Sequence, residues 1–361
     1  MTARHYMAKA LVLAERPIFS PHPNPRVGCI IVKNNVIVGE GFHEYAGGPH
    51  AEVNALSQAG DKAENSTVYV TLEPCSHFGQ TPPCADALIK AQVSKVVIAM
   101  TDPNPKVAGQ GIEKLQEAGI KVEVGLLELQ AKKLNRGFIT RMLKGRPWVC
   151  SKIAMSLDGR TSMKTGESKW ITGPAARKDV QLLRAKTHAL LSGSGTVIAD
   201  DPSFTVRGLD EPEYGTRQPI RVIIDSQRKI TKDAKVFKNN GQVLLAALES
   251  AEILSENIET LALPDHEGHV DLTALLKELA KRSINDVLVE AGPGLNGALL
   301  SQGLIDELIV YMSTDVLGDD ANGLFHLPDL TLMKDKISFN CEDVRKIGKD
   351  IRFKLSPIVE N

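Results

Sequence analysis

Between residues 49 and 84 the chain sets a histidine, two cysteines and an acid in a pattern that few folds can satisfy. The segment carries Pro49-His50-Ala51-Glu52, then Glu73-Pro74-Cys75, then Cys84. Zinc takes nitrogen and thiolate ligands tetrahedrally, and a catalytic site keeps the fourth position for water. His50, Cys75 and Cys84 fill three positions, so the fold must bring distant residues into one coordination sphere. Two thiolates cancel the charge of the ion yet leave it acidic enough to lower the pKa of a bound water towards neutrality. Glu52 is not needed as a ligand and is placed to carry the water's proton. A closed structural site would use the same residue types, and His77 is a conceivable fourth ligand. In a purely structural site, however, Glu52 would have no reason to be acidic.

The spacing makes local sense. Residues 50–56 read as the first turns of a helix, with Val53 and Leu56 three apart. Residues 68–72 alternate as a strand that Pro74 ends, and Cys84 opens a second helix through Lys90. Ligands at helix N-termini meet the positive end of the dipole, which favours thiolate over thiol.

With 361 residues the chain is too long for one ordinary core, so two domains are expected. A net charge of −1 and no basic tract argue against a nucleic-acid partner, and 4% aromatics leave little to stack bases. No apolar run reaches the roughly 20 residues of a membrane span. Cys29, Cys150 and Cys341 read as ordinary thiols, which fits a reducing cytoplasm.

In chain order, a helix is expected over 5–16, stopped by Pro17, then a rigid proline loop over 21–25. Residues 27–32 and 36–39 flank Lys33-Asn34-Asn35 as a hairpin. Asn24 and His43 then fall on loops near the metal. Strands at 95–100 and 121–124, and helices near 109–118 and over 127–144, predict a sheet with helices on both faces. The turn-forming Lys144-Gly145-Arg146-Pro147 marks a boundary, giving domains 1–146 and 147–361.

The second half starts with a strand from Trp148, and a helix follows Pro174 to about Thr187. Residues 189–196 read as a strand entering a glycine loop. Further strands are expected at 221–226 and 242–247, and an amphipathic helix at 271–281. Residues 286–291 read as a buried strand ending in a second glycine loop, 292–297, with a helix starting at Ala298. Runs 308–313 and 350–355 read as strands that close the sheet. Glycine loops before helices suit phosphate, although the Gly-x-Gly-x-x-Gly fingerprint is absent. Two such loops and scattered arginines favour a phosphorylated ligand or a dinucleotide.

His-x-Glu with a later Pro-Cys and a second Cys is the constellation of zinc-dependent nucleobase deaminases. Over nearly its whole length the chain resembles the bifunctional riboflavin-biosynthesis deaminase–reductases. The resemblance rests on His50-Ala51-Glu52, Thr71-Leu72-Glu73-Pro74-Cys75-Ser76-His77 and Thr81-Pro82-Pro83-Cys84. In the second half it rests on Ser156-Leu157-Asp158-Gly159-Arg160, Gly166-Glu167-Ser168-Lys169-Trp170-Ile171-Thr172, Ala199-Asp200-Asp201-Pro202 and Val289-Glu290-Ala291-Gly292-Pro293. The long spacer between Cys75 and Cys84 departs from the general deaminase pattern and is usual in this family.

The resemblance implies an α/β protein: a cytidine-deaminase-like α/β/α domain, then a dihydrofolate-reductase-like α/β domain. It implies Zn2+ and NADPH as cofactors, phosphoribosyl pyrimidines as substrates and a homodimer or higher homo-oligomer. Deamination of 2,5-diamino-6-ribosylamino-4(3H)-pyrimidinone 5′-phosphate would precede reduction of the ribosyl group of its product to ribityl. Glu52 would move protons while Asn24 and His43 hold the pyrimidine. Ala154, Trp170, Thr196, Asp200, Ser226, Gly292, Pro293, Gly294, Leu295, Asn296 and Gly297 would surround NADPH. Ser168, Arg184, Phe204, Arg207 and Glu290 would face the substrate, with Arg184 and Arg207 suited to its 5′-phosphate. Lys152 is a candidate proton donor or phosphate ligand.

Three rival readings remain: a deaminase whose C-terminal domain only binds a phosphorylated ligand, an RNA-editing or RNA-binding protein, and an interaction scaffold with structural zinc.

Overall fold

The computed structural model describes residues 1–17, 22–78, 82–105, 107–209, 217–249 and 256–358. Pro21 of the expected proline loop and Thr81 of the cysteine spacer lie outside the described residues. The chain forms two compact units that divide between Gly145 and Arg146.

The first unit runs α1 (Ala3–Glu15), β1 (Gly28–Lys33), β2 (Val36–Phe42), α2 (Ala51–Ala59), β3 (Thr67–Val70) and α3 (Cys84–Lys90). It continues with β4 (Lys95–Ile98), α4 (Gln110–Glu117), β5 (Lys121–Val124), α5 (Glu128–Leu134) and α6 (Arg136–Lys144). The sheet order is β2-β1-β3-β4-β5; β1 is antiparallel to both neighbours, and β3, β4 and β5 are parallel. Asn34 and Asn35 have φ of 52° and 62°, the left-handed pair that a two-residue hairpin turn needs.

Side chains of a strand alternate between faces, and the core follows. Cys29, Ile31, Val68, Val70, Val96 and Ile98 pack with α2, α3 and α4. Ile30, Val32, Tyr69 and Val97 pack with α1 and α5 on the other face. The helix expected over 127–144 is broken at Asn135. Its side-chain amide leaves the helix to bond both backbone groups of Arg26, each at 2.8 Å.

The second unit begins β6 (Trp148–Met155), β7 (Arg160–Ser162), α7 (Pro174–Lys186), β8 (Ala189–Gly193), α8 (Ser194–Asp200) and β9 (Ile220–Ile224). Next come α9 (Lys235–Lys238), β10 (Val243–Ala247), β11 (Ile258–Ala262), α10 (Leu272–Lys281), β12 (Asp286–Val289) and α11 (Pro293–Ser301). It ends with β13 (Glu307–Met312), β14 (Asn322–Gly323), β15 (Phe339–Ile347) and β16 (Asp350–Pro357). The large sheet has the order β11-β10-β9-β8-β12-β6-β13-β16-β15. Strands β11 to β13 of that order are parallel, and the β16/β15 hairpin closes it antiparallel.

Helix α10 shows why such a sheet is covered. Leu272, Leu275, Leu276 and Leu279 form one stripe, all buried against the sheet, and each contributes about 1.5–3 kcal/mol by burial. Asp271 caps the helix through the Ala274 N–H at 2.9 Å.

Both expected glycine loops prove to be helix starts. Residues 194–200 are already α8, capped by Gly193. Helix α11 begins at Pro293 rather than Ala298, with Gly292 as cap and proline at a first-turn position that suits its fixed φ. Strands β11 and β15 escape the sequence reading; both lie at sheet edges, where the apolar pattern is diluted.

A Cβ at Gly297 would lie 2.1 Å from the His326 carbonyl oxygen, whereas at Gly294 it would meet nothing within 4 Å. Gly297→Ala is expected to cost about 1–3 kcal/mol by forcing backbone apart. Gly294→Ala should be neutral or stabilising by up to about 1 kcal/mol, as for Gly to Ala in a helix. Thermal unfolding of the two variants checks this contrast.

Candidate active sites

In the first unit, helix α2 is set on the sheet by two glycines. A Cβ at Gly39 would lie 2.2 Å from the Ala55 carbonyl oxygen, and one at Gly41 2.3 Å from that of Ala51. This close approach fixes the N-terminus of α2, where His50 is the cap and Glu52 lies in the first turn. Cys84 is the first residue of α3. Cys75 sits in the connection after β3, and its Sγ accepts the Cys84 N–H at 3.2 Å.

His50 Nδ1 lies 3.2 Å from Cys84 Sγ and 3.6 Å from Cys75 Sγ, and the three ligand atoms lie within 4.8 Å of one another. Tetrahedral zinc, with bonds of about 2.3 Å to sulfur and about 2.0 Å to nitrogen, needs sulfur and nitrogen about 3.5 Å apart. The donor set therefore fits zinc in type and spacing. Among the described residues this is the group of three or more candidate ligands, and His77, exposed, is outside it. Three protein ligands leave one tetrahedral position open.

The electrostatics follow from burial and hydrogen bonding. Hydrogen bonding from Cys84 holds the Cys75 thiol down to about 4, with His50 adding to the effect. The same bond, with burial, pushes the Cys84 thiol up; a cation at the three ligands would displace that proton. Glu52 is 3% exposed. Burial, then the nearby Cys75 thiolate, pushes its carboxyl up to about 7.

His43 and Asn24 meet beside this group. His43 Nδ1 lies 3.1 Å from the Pro49 carbonyl oxygen and Nε2 lies 3.0 Å from Asn24 Nδ2. Nδ1 is thus the donor, and Nε2 accepts from the amide. The His43 ring stands edge-on to that of His50, with centroids 5.4 Å apart.

Glu73 is the residue whose task the sequence did not disclose. It is 3% exposed and all its bonds go to backbone. Oε1 accepts from Gly111 and Ile112 N–H at 2.9 and 3.4 Å, and Oε2 from Asp102 and Gly109 N–H at 3.0 and 3.1 Å. A Cβ at Gly111 would lie 2.0 Å from the Pro74 carbonyl oxygen, so α4 is pressed onto the segment that carries Cys75. The signal was present as an acid directly before Pro74-Cys75.

In the second unit, a cleft of 1620 Å³ opens at the C-terminal ends of β6, β8, β9 and β12, where open parallel sheets place their ligands. Of the residues expected at the cofactor, Ala154, Trp170, Thr196, Asp200, Ser226, Gly292, Pro293, Gly294 and Leu295 line it. Asn296 and Gly297 do not. Asn296 is 1% exposed and its amide bonds Ser151 Oγ and the Ala291 carbonyl, while Gly297 faces His326. A helix starting at Pro293 turns these two residues inward.

Lys152, Ser168, Arg184, Phe204, Arg207 and Glu290 also line the cleft. Arg184 is committed to Glu290: Nε–Oε1 is 2.5 Å, Nη2–Oε2 is 3.0 Å, and Nη1 donates to the Thr205 carbonyl at 3.2 Å. The fork expected to hold a phosphate is therefore largely used inside the protein. Arg207 is exposed, and among the described residues its guanidinium engages only Ser203 Oγ, at 3.2 Å. Phe204 is 3% exposed; it packs with Leu190, Val197 and Ile223, and Arg184 lies 5.7 Å over its ring. Lys152 Nζ is 3.6 Å from Glu290 Oε2.

Trp170 is 67% exposed, so it is not a core residue, and the Arg177 guanidinium lies 4.4 Å over its ring. Asp200 accepts from Ser168 Oγ at 3.2 Å and pairs with Lys169 Nζ at 3.3 Å. The glycine-capped start of α11 offers backbone N–H groups, and Gly195 and Gly294 have open space where a side chain would stand. An extended dinucleotide with a pyrophosphate fits this cleft.

A cytidine-deaminase-like zinc domain is thus followed by an α/β reductase domain with a dinucleotide cleft. The zinc-binding region of cytidine and deoxycytidylate deaminases matches residues 1–100, and the RibD C-terminal domain matches residues 147–353. The riboflavin biosynthesis protein RibD of Escherichia coli is 52% identical over 97% of this chain and 98% of its own. That of Haemophilus influenzae is 50% identical over 98% and 96%. The structure of Acinetobacter baumannii RibD superposes with a TM-score of 0.93, at 47% identity over 99% of both chains. A Thermotoga maritima diaminohydroxyphosphoribosylaminopyrimidine deaminase/5-amino-6-(5-phosphoribosylamino)uracil reductase gives 0.89, at 35% identity over 98% of both. The chain belongs to the RibD family, the bifunctional deaminase–reductases of riboflavin biosynthesis, with zinc and NADPH as cofactors.

Two outcomes are expected. Glu73→Ala strands buried N–H groups and should cost about 3 kcal/mol or more, with loss of bound zinc, read by denaturant unfolding and metal analysis. For Glu290, burial alone would raise the carboxyl, but Arg184 and then Lys152 hold it at about 2 against an ordinary 4.5. Its charge therefore stabilises the fold above about 4.5, and that contribution, roughly 3 kcal/mol, is lost as pH falls towards 2. The stability gap between the wild type and Glu290→Gln should be full at neutral pH and shrink through that window.

Proposed function

We propose that the first unit hydrolyses the 2-amino group of 2,5-diamino-6-ribosylamino-4(3H)-pyrimidinone 5′-phosphate. The second unit then reduces the ribosyl group of the deaminated product to ribityl. The observation that carries the first step is the open set of His50 Nδ1, Cys75 Sγ and Cys84 Sγ beside the buried Glu52. The likeness to the Thermotoga maritima enzyme, whose two activities bracket this same intermediate, supports the pair of reactions.

Zinc, when held by the three ligands, supplies the Lewis acid that activates water. Glu52 takes one proton from the attacking water and gives it to the ring nitrogen, then takes the second from the added hydroxyl and gives it to the departing ammonia. A carboxyl raised by burial suits a group that must both accept and donate. His43, fixed by Pro49, orients the Asn24 amide, whose oxygen is turned over to the pyrimidine.

NADPH, when bound, supplies the hydride of the second step. Trp170, stiffened by Arg177, offers it a flat wall, and Ala154, Thr196, Asp200, Ser226 and the start of α11 line the rest of its path. Lys152 is our choice for the proton donor to the opened sugar, positioned by Glu290 at 3.6 Å. Arg184 acts through Glu290, and Arg207 is left to meet the 5′-phosphate, with Ser168 and the backbone at Phe204 beside it.

We place the protein in the cytoplasm as a homodimer formed through its second unit. The thiols support the first: Cys29, Cys75, Cys84, Cys150 and Cys341 are all free. For the second, β15 is an edge strand with exposed Val344; light scattering measures the state directly. Among the described residues no helix is long and apolar enough to cross a membrane, and phosphoribosyl pyrimidines, not nucleic acid, are the partners.

Glu52→Gln should retain zinc yet lose about 10²-fold or more in ammonia release. NADPH oxidation, followed by absorbance, should vanish with the diamino substrate and return with the pre-deaminated one. Unchanged deamination would remove Glu52 from the mechanism.

A further inference from the structure

The cleft of the second unit extends past α11 to the C-terminal end of β9, where the chain turns through residues 225–230. Asp225 is 1% exposed, and both carboxylate oxygens are used inside this turn. Oδ1 accepts from the Lys229 N–H at 3.0 Å and Oδ2 from the Ile230 N–H at 2.8 Å. The Arg228 N–H bonds the Asp225 carbonyl at 3.1 Å, and its guanidinium reaches the Glu249 carbonyl at 2.6 Å. The turn lines the cleft with Asp225, Ser226, Gln227 and Lys229, and of these Asp225 is buried with its carboxylate already used by backbone.

This arrangement bears on the choice between the two nicotinamide dinucleotides. An acid at a strand end beside the adenosine ribose accepts from a free 2′-hydroxyl and repels a 2′-phosphate, whereas a cation there does the reverse. Here the acid is folded under and an ammonium stands at the surface. Two other lysines of the same wall are already paired, Lys235 with Asp201 at 3.1 Å and Lys238 with Asp233 at 3.6 Å. Among the described residues no ion pair engages Lys229. In the sheet order β9-β8-β12, the turn lies two strands from the strand that feeds α11, a lateral step of roughly 10 Å. That is the reach of an adenosine whose pyrophosphate rests at the start of α11.

We infer that Lys229, with Ser226 on the same turn, reads the adenosine 2′-phosphate and so makes the second unit prefer NADPH to NADH. This rests on the reductase reading above. Binding of NADPH, NADH, 2′,5′-ADP and ADP to the full zinc-loaded chain tests it by titration calorimetry. Lys229→Ala should weaken NADPH and 2′,5′-ADP by about tenfold, change NADH and ADP by less than twofold, and leave the melting temperature in place. Lys229→Arg should restore most of the loss. Parallel weakening of NADPH and NADH, or no change in either, would overturn the assignment. Wild-type protein that binds neither dinucleotide would instead overturn the reductase reading, and the assignment with it.

Discussion

An imidazole and two thiols held within 4.8 Å of one another are an expensive arrangement without a cation. Each ligand must be deprotonated to bind, and two adjacent thiolates repel. The fold meets this by placing His50 and Cys84 at the starts of two helices and by giving Cys75 the Cys84 N–H as a donor. Much of the first unit is arranged to keep those helix starts where they are. Glycines 39 and 41 let α2 lie directly on β2, and Glu73 ties the start of α4 to the segment that carries Cys75.

The second unit solves a different electrostatic problem. Its cleft needs cations for an anionic substrate and cofactor, yet the Arg184 side chain is only 11% exposed, where an unpaired charge is costly. Glu290 compensates it with two hydrogen bonds and leaves Lys152 at the edge of the pair. The buried pair sets the floor of the cleft, while Trp170, Arg207 and Lys229 stay exposed at its walls. Rigid floor and accessible walls suit two large ligands that must meet at one carbon.

The legible part of the site was the part whose chemistry demands particular residue types at particular spacings. His50, Glu52, Cys75 and Cys84 were readable because zinc and proton transfer allow few substitutes. Asn24 and His43 were readable as loop residues near the metal, but their mutual bond was not. In the second unit the lining residues came from family resemblance, and the errors there are instructive. The glycines at 292, 294 and 297 signal a loop through Asn296 and Gly297. In fact Pro293 starts the helix and Gly297 is glycine for contact with His326.

The sequence by itself determined most of the local elements and the metal chemistry, because periodicity, turn residues and ligand types act over short spans. Tertiary structure alone decided the tasks of residues whose partners are distant in the chain. Asn135 breaks a helix to bond Arg26, Glu73 gathers four N–H groups from residues 102–112, and Arg184 gives its fork to Glu290 rather than to a phosphate. Each choice depends on which buried polar group most needs a partner. That need exists only after the chain has packed.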